Sequence, residues 1–167
     1  PQGDGARNLK VFEIDSGDDT IAMVASFNLR KLNPMNWPAM QWTADESLCM
    51  RSVSNEIHVH EGRKIADGGV IGKIRAPGLA SFSVSPGSPP PHAAVFIPEN
   101  KGRPAAVQIF NYANSESPVA RKAFYKAQEA TLTWSPNGSA VLVYTHSDVD
   151  ATGGSYYGST DLHLLHA

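Results

Sequence analysis

The chain carries a single cysteine, Cys49, so an intrachain disulfide is excluded. An unpaired thiol fits a reducing compartment. Within Leu48-Cys49-Met50 it reads as a small buried hydrophobe rather than a reactive nucleophile. Long apolar runs are missing as well. The longest, such as Ala140–Tyr144, fall far short of the roughly 20 residues a membrane-crossing helix needs. The amino terminus, Pro-Gln-Gly-Asp-Gly, has no basic-then-apolar leader pattern, and without an initiating methionine the chain is expected to be a fragment or a processed product. Neither sign of charge dominates: 14 Lys and Arg stand against 16 Asp and Glu, for a net charge of −2. No global field therefore draws the chain toward nucleic acid, and any RNA contact has to come from a local patch or from another part of a longer protein.

Helical periodicity is scarce. The nearest candidate, Val119–Glu129, has poor apolar spacing, and its Phe124-Tyr125 reads equally well as strand. What is present is a series of short β-like runs bounded by turn residues. The expected strands are Leu9–Ile14, Ile21–Phe27, Ala39–Trp42, Ser47–Ser52, Glu56–Glu61, Ala80–Val84, Ala93–Ile97, Ala105–Tyr112, Arg121–Tyr125, Ala130–Trp134, Ser139–Thr145 and Thr160–His166. Alternation in Glu56–His60 buries Ile57 and Val59 and leaves His58 and His60 on the other face. Ala140–Tyr144 is apolar on both faces, which predicts a strand covered on both sides.

A loose internal repeat organises these runs. Its units are Met40–Cys49, Ser81–Gly87 and Leu132–Gly138. Each has an apolar strand ending in a large residue, a tight polar turn, and another apolar strand. Pro86-Gly87 and Pro136-Asn137-Gly138 supply the fixed and left-handed backbone such turns need. The units recur about every 40–50 residues, the size of a four-stranded propeller blade. The Ser88–Pro91 and Glu99–Pro104 stretches lengthen the second interval as two loops. A β-sandwich also has short strands at regular spacing, but the recurring strand–turn–strand unit favours a propeller, even though the Trp-Asp pair of many WD40 repeats is missing. The fold expected is all-β: a partial WD40-like β-propeller of about three four-stranded antiparallel blades within a larger ring. Its divisions are residues 1–29 (end of one blade), 30–76 (second blade), 77–127 (third blade) and 128–167 (fourth, incomplete blade).

Residues that carry chemistry do not assemble into a catalytic pattern. The strands expected to lie innermost, Ala39–Trp42, Ala80–Val84 and Leu132–Trp134, are apolar with Ser and Thr, which argues against a hydrolase or lyase centre. His58 and His60 have metal-like spacing but no clear further ligands, and His163 and His166 point to opposite faces. Asp148 and Asp150 lack the glycine and closing glutamate of an EF-hand loop and read as caps of their own loop. No catalytic residue, metal or cofactor is expected. Contact residues are easier to nominate. Lys101 and Arg103 sit on a projecting loop with no acid after Glu99, and Arg121, Lys122 and Lys126 form a further basic set suited to phosphates. Tyr156 and Tyr157, flanked by glycines, are either a stacking platform or an anchor that packs one ring inward.

A family resemblance spans nearly the whole chain. Phe124-Tyr125-Lys126-Ala127, Trp134, Ala140–Val143, Ser147-Asp148-Val149-Asp150, Thr152-Gly153, Ser155-Tyr156-Tyr157-Gly158 and Leu162-His163 resemble a blade of the eukaryotic translation initiation factor 2A family. Asn36-Trp37-Pro38, Trp42, Asp45–Cys49 and Asn55-Glu56 are similar to the blade before it, and Lys101-Gly102 with Pro104 to a loop that follows. The Ser88–Pro91 insert and Asp67–Gly72 depart from the family pattern. The resemblance implies a cytoplasmic, non-enzymatic factor whose ring has about nine blades. It also implies docking on the small (40S) ribosomal subunit through rRNA or ribosomal proteins, and support of initiator methionyl-tRNA delivery, through this chain or through parts outside it. No membrane is implied. The rival reading is a general protein-interaction propeller without RNA contact.

Overall fold

Alternation of apolar and polar side chains becomes strand almost wherever it occurs in the computed structural model of the chain, which describes residues 7–15, 17, 19–29, 37–65, 69–87, 90–148 and 158–167. The strands are β1 (Leu9–Asp15), β2 (Thr20–Phe27), β3 (Met40–Trp42), β4 (Leu48–Val53), β5 (Glu56–Glu61), β6 (Gly72–Arg75), β7 (Ser81–Val84), β8 (His92–Ile97), β9 (Ala105–Asn111), β10 (Ala120–Phe124), β11 (Glu129–Trp134), β12 (Ala140–Ser147) and β13 (Ser159–His166). A 3-10 turn, Gly62–Lys64, follows β5, and Val119–Glu129 forms strand rather than helix over Ala120–Phe124.

Among the described residues four antiparallel sheets follow one another along the chain, ordered β1-β2, β3-β4-β5-β6, β7-β8-β9-β10 and β11-β12-β13. Each interior sheet buries both faces, and strand periodicity assigns alternate residues to different neighbours. In β8, Ala93 and Val95 join Met50, Ile57, Val59 and Ile74 of the second sheet, with Phe82 and Phe110. Their alternates Ala94 and Phe96 join Val141, Val143 and Leu165 of the fourth sheet, with Val107, Ile109 and Phe124. A third cluster, Met40, Cys49 and Ile65, packs on Leu9, Val11, Val24, Ala25 and Phe27 of the first. Consecutive sheets stacked face to face, each serving two neighbours, are the architecture of a propeller segment rather than of a two-sheet sandwich.

Strands β3, β7 and β11 meet through side chains. The Gln41 amide donates to Phe82 O at 2.9 Å and accepts from Val84 N at 2.9 Å, and Trp134 Nε1 donates to Ser83 O at 3.1 Å. The turns after these strands share a device that the Pro-Gly pattern does not reveal. In the first, Thr43 N donates to Leu48 O (3.0 Å) while Leu48 N donates to Thr43 Oγ1 (3.1 Å). Ser85 makes the same pair of bonds with His92, and Ser135 with Ala140. Inside the first and third turns an Asx oxygen gathers the remaining donors. Asp45 Oδ1 accepts from Thr43 Oγ1 (2.6 Å), Ser47 Oγ (2.8 Å) and Ser47 N (3.1 Å), and Asn137 Oδ1 accepts from Ser135 Oγ, Ser139 Oγ and Ser139 N.

That geometry has a pH signature. The Thr43 hydroxyl, then the Ser47 hydroxyl and amide, hold the Asp45 carboxyl down to about 2, from an ordinary value of 3.8. A carboxyl depressed in the folded state stabilises it fully above the unfolded value, and that contribution disappears as pH falls through the folded one. The stability gap between wild type and Asp45→Ala, read from urea midpoints, is therefore expected to narrow from pH 5 toward pH 2. The gap for Asn137→Ala, whose amide does not titrate, stays constant at about 1–2 kcal/mol.

One expectation changes on folding. Within Ala140–Tyr144, Val141 and Val143 are buried but Leu142 and Tyr144 are 39% and 47% exposed, because among the described residues no further sheet lies on that side. His60, set on the face opposite Ile57 and Val59, is buried between two sheets. Its ring lies 5.7 Å from that of Phe27, which also carries the Arg51 guanidinium 4.5 Å from its ring centre, so these side chains join the first and second sheets.

Candidate functional site: a cation-rimmed cleft

The β8–β9 connection, residues 98–104, ends at its tip in a two-residue hairpin turn closed by an Asn100–Arg103 bridge. Asn100 N donates to Arg103 O at 3.1 Å and Arg103 N to Asn100 O at 3.0 Å. Its central residues both have left-handed backbone, Lys101 at φ 48 and Gly102 at φ 79. This is the turn that matches strand twist, and it favours Asn, Asp or Gly at both positions. A lysine at the first position costs about 1 kcal/mol relative to those residues. The lysine sits exposed at the tip of the turn.

The hairpin leans on the loop between β10 and β11. Lys126 N donates to Glu99 Oε2 at 2.9 Å, and Glu99 N reaches Ala127 O at 3.5 Å. Lys126 is a second lysine with left-handed backbone, at φ 62, beside Tyr125, which is 90% exposed. On the opposite flank Asn55 orders the β6–β7 loop by accepting from Ala76 N through its carbonyl (2.9 Å) and from Gly78 N through its side chain (3.0 Å).

Between the hairpin and the β6–β7 loop opens a cleft of about 720 Å³. Pro77, Gly78, Ile97, Pro98, Pro104 and Ala106 form its aliphatic floor and walls. Lys101, Arg103 and Arg121 bring cations to it, and Asn100 and Gln108 bring amides. Arg121 arrives there because β10 pairs with β9 in a register that sets it opposite Gln108. No Asp or Glu and no aromatic ring is among the residues lining it.

Of the residues nominated from the sequence, Lys101, Arg103 and Arg121 thus border one cavity. Lys122 is exposed on the other face of β10, opposite Val107, and Lys126 lies on the neighbouring loop outside the lining. Tyr156 and Tyr157 fall outside the described residues, as does Asp150. Asp148 Oδ1 sits 3.3 Å from His146 Nε2, and the Asp148 amide is bonded to Gln128 Oε1 at 2.8 Å rather than to its own carboxylate. His58 pairs with Glu56 at 3.2 Å, and among the described residues no three His, Cys, Asp or Glu side chains gather as a metal set would require. The burial of Cys49 pushes its thiol up to about 12, too high for a nucleophile at neutral pH.

One cluster escaped sequence reasoning. The Glu56 carboxylate receives Lys73 Nζ at 3.1 Å, His58 Nε2 at 3.2 Å and Arg75 Nε at 3.7 Å, and the Lys73 bond, then the His58 bond, hold its pKa down. These ion pairs fasten β6 to β5 and pair two of the cations nearest the β6–β7 loop.

Comparison with known proteins finds a family model, "Eukaryotic translation initiation factor eIF2A", matching residues 122–167. A "Eukaryotic translation initiation factor 2A" of Schizosaccharomyces pombe is 40% identical over 164 residues, 98% of this chain and 27% of that protein. The protein of the same name from Dictyostelium discoideum is 38% identical over 135 residues, 80% of this chain and 22% of its own length. A solved structure described as "Crystal structure of the eukaryotic initiation factor" superposes with a TM-score of 0.72 at 32% identity, covering 93% of this chain and 38% of that one. The chain therefore spans about a quarter of the length of the curated relatives it matches. These relatives are named as initiation factors, not as enzymes.

Proposed function

The chain belongs to the family of eukaryotic translation initiation factor 2A, and from that premise we propose that it is a non-enzymatic scaffold segment that docks on the small ribosomal subunit in the cytoplasm. In this reading the four sheets serve as successive blades, divided near residues 29, 76 and 127. The blades hold short loops in fixed relation, so contact residues far apart in sequence present one surface. Lys101, Arg103 and Arg121 make the principal contact, and Lys122, Lys126, Tyr156 and Tyr157 are further contact candidates of the segment. The observation that carries the reading is the convergence of three cations from two separate elements on a cavity with no lining carboxylate.

Delivery of initiator methionyl-tRNA is assigned to the whole protein, with this segment supplying anchorage and not the tRNA site. No helix among the described residues is long and apolar enough to cross a membrane. Sedimentation of the full-length protein with purified small subunits tests the reading. Wild type is expected to co-sediment at about 50 mM salt and to lose most binding by about 200 mM. The combined variant Lys101→Glu, Arg103→Glu, Arg121→Glu is expected to bind roughly tenfold or more weakly at low salt. Equal co-sedimentation of the two proteins would remove the cleft from the interface, and failure of wild type to sediment at low salt would remove the ribosome.

A further inference from the structure

We infer that the cleft between the β8–β9 hairpin and the β6–β7 loop takes an acidic peptide segment of a protein partner, anchored by one aliphatic side chain. The inference rests on the reading of this rim as a contact surface and names the class of molecule it contacts.

Charge sets the first requirement. Lys101, Arg103 and Arg121 border the cavity without a lining acid, so a partner there gains from carboxylates or phosphates. The floor separates those two. Pro77, Ile97, Pro98, Pro104 and Ala106 offer aliphatic surface and no ring on which a base could stack. Stacking on aromatic side chains is the main sequence-tolerant source of affinity for single-stranded nucleic acid, and Tyr125, the exposed ring nearby in sequence, is not part of the lining. A concave aliphatic floor gives a phosphodiester backbone little to bury, whereas a leucine, isoleucine or valine fills it and loses water.

Size and polar placement agree. A cavity of about 720 Å³ admits a few side chains rather than a folded domain. Gln108 stands on β9 opposite Arg121, where its amide can both donate to and accept from an extended peptide, as Gln41 does to the β7 backbone elsewhere in this fold. Lys101 is held in left-handed backbone at the hairpin tip, a conformation that Gly or Asn takes more readily, and it is among the residues that line the cavity. The occupant that satisfies charge, floor and amide together has acidic residues on either side of an aliphatic one.

The test selects the ligand with a random twelve-residue peptide library displayed on phage, panned on the full-length protein. The counter-target is the same protein carrying Arg103→Glu and Arg121→Glu, both exposed positions. Gln108→Glu, nearly isosteric and less exposed, serves as an independent variant that puts a carboxylate inside the cleft. Peptides enriched on wild type and not on the counter-target should carry Asp or Glu flanking Leu, Ile, Val or Pro. By fluorescence polarisation they should bind wild type at least about tenfold more tightly than either variant. Loss of affinity when the aliphatic residue is changed to serine supports the floor as the anchor site. The inference is overturned if no cleft-dependent peptide is enriched, if the enriched peptides lack acids or the aliphatic anchor, or if a ten-nucleotide oligouridylate binds the cleft and displaces them. Small-subunit sedimentation is read separately. Cleft-sensitive sedimentation without peptide enrichment sinks the peptide alone, and peptide binding without sedimentation sinks the ribosomal reading while the peptide site stands.

Discussion

Replacing Phe96 by alanine is expected to lower the unfolding free energy by about 3–5 kcal/mol, the range for large-to-small changes in a core that cannot collapse. Phe96 is fully buried, in the middle of the third sheet, and belongs to the cluster that includes Val107, Ile109 and Phe124 of its own sheet and Val141, Val143 and Leu165 of the next. Its strand is held on both sides, paired through Phe96 with Ser81 of β7 and Val107 of β9, and the Phe96 carbonyl accepts from Ala80 N at 2.9 Å. With the backbone pinned, the space left by the ring stays largely empty, so the cavity term adds to the lost transfer energy. Urea denaturation of the full-length protein, followed by circular dichroism, should show a lower midpoint for Phe96→Ala. Tyr125→Ala, at a position 90% exposed, should stay within about 0.5 kcal/mol of wild type. If the two variants unfold alike, the contact between the third and fourth sheets is not what holds this part of the fold together.

The elements that periodicity revealed are those with enough residues to show a period. Ala93–Ile97 and Ala105–Asn111, nearly apolar throughout, are strands buried on both faces. The turn repeat marked where β3, β7 and β11, the first strands of the second, third and fourth sheets, end. Strand β6 escaped because Gly72-Lys73-Ile74-Arg75 offers one apolar side chain among two cations and a glycine. Pairing with β5 and the carboxylate of Glu56 fix that strand, and both are distant in sequence from the signal a local window reads. The same limit explains the strand Ala140–Tyr144. Its apolar character on both sides was legible, but whether a neighbour lies on each side was not. The outer face of the fourth sheet instead presents Leu142, Tyr144, Leu162 and Leu164, and that of the first Phe12, Ile14, Ile21 and Met23. At the cleft, the projection of Lys101 and Arg103 follows from a glycine-containing turn between prolines. Their neighbourhood with Arg121, Pro77 and Gly78 depends on hairpin register and on the stacking of one sheet against the next, for which composition has no signature.

Gly138→Ala is expected to cost about 2–4 kcal/mol, more than the left-handed backbone alone explains. Gly138 has φ 71, yet Glu46 holds the matching position of the first turn at φ 59, so the fold tolerates a side chain in that conformation. The difference is what lies beside it. A Cβ on Gly138 would strike the carbonyl oxygen of Pro86, with Ser85 Cβ at 3.3 Å, and a Cβ on Gly87 (φ 114) would lie 2.7 Å from the Asn137 carbonyl. The turns of two successive repeats therefore meet backbone to backbone, Gly138 making room for the carbonyl of Pro86 and Gly87 for that of Asn137. In the first turn the crowding falls elsewhere, on Gly62, where a Cβ would strike the Glu46 carbonyl. Gly102→Ala separates the two contributions, because Gly102 has φ 79 and nothing within 4 Å of its Cβ position. That variant should lose only about 1 kcal/mol. Equal losses for Gly138→Ala and Gly102→Ala, measured by urea midpoint in the full-length protein, would mean that the facing turns separate at little cost. A larger loss at Gly138 identifies their close approach as a joint between consecutive sheets that side-chain packing alone does not supply.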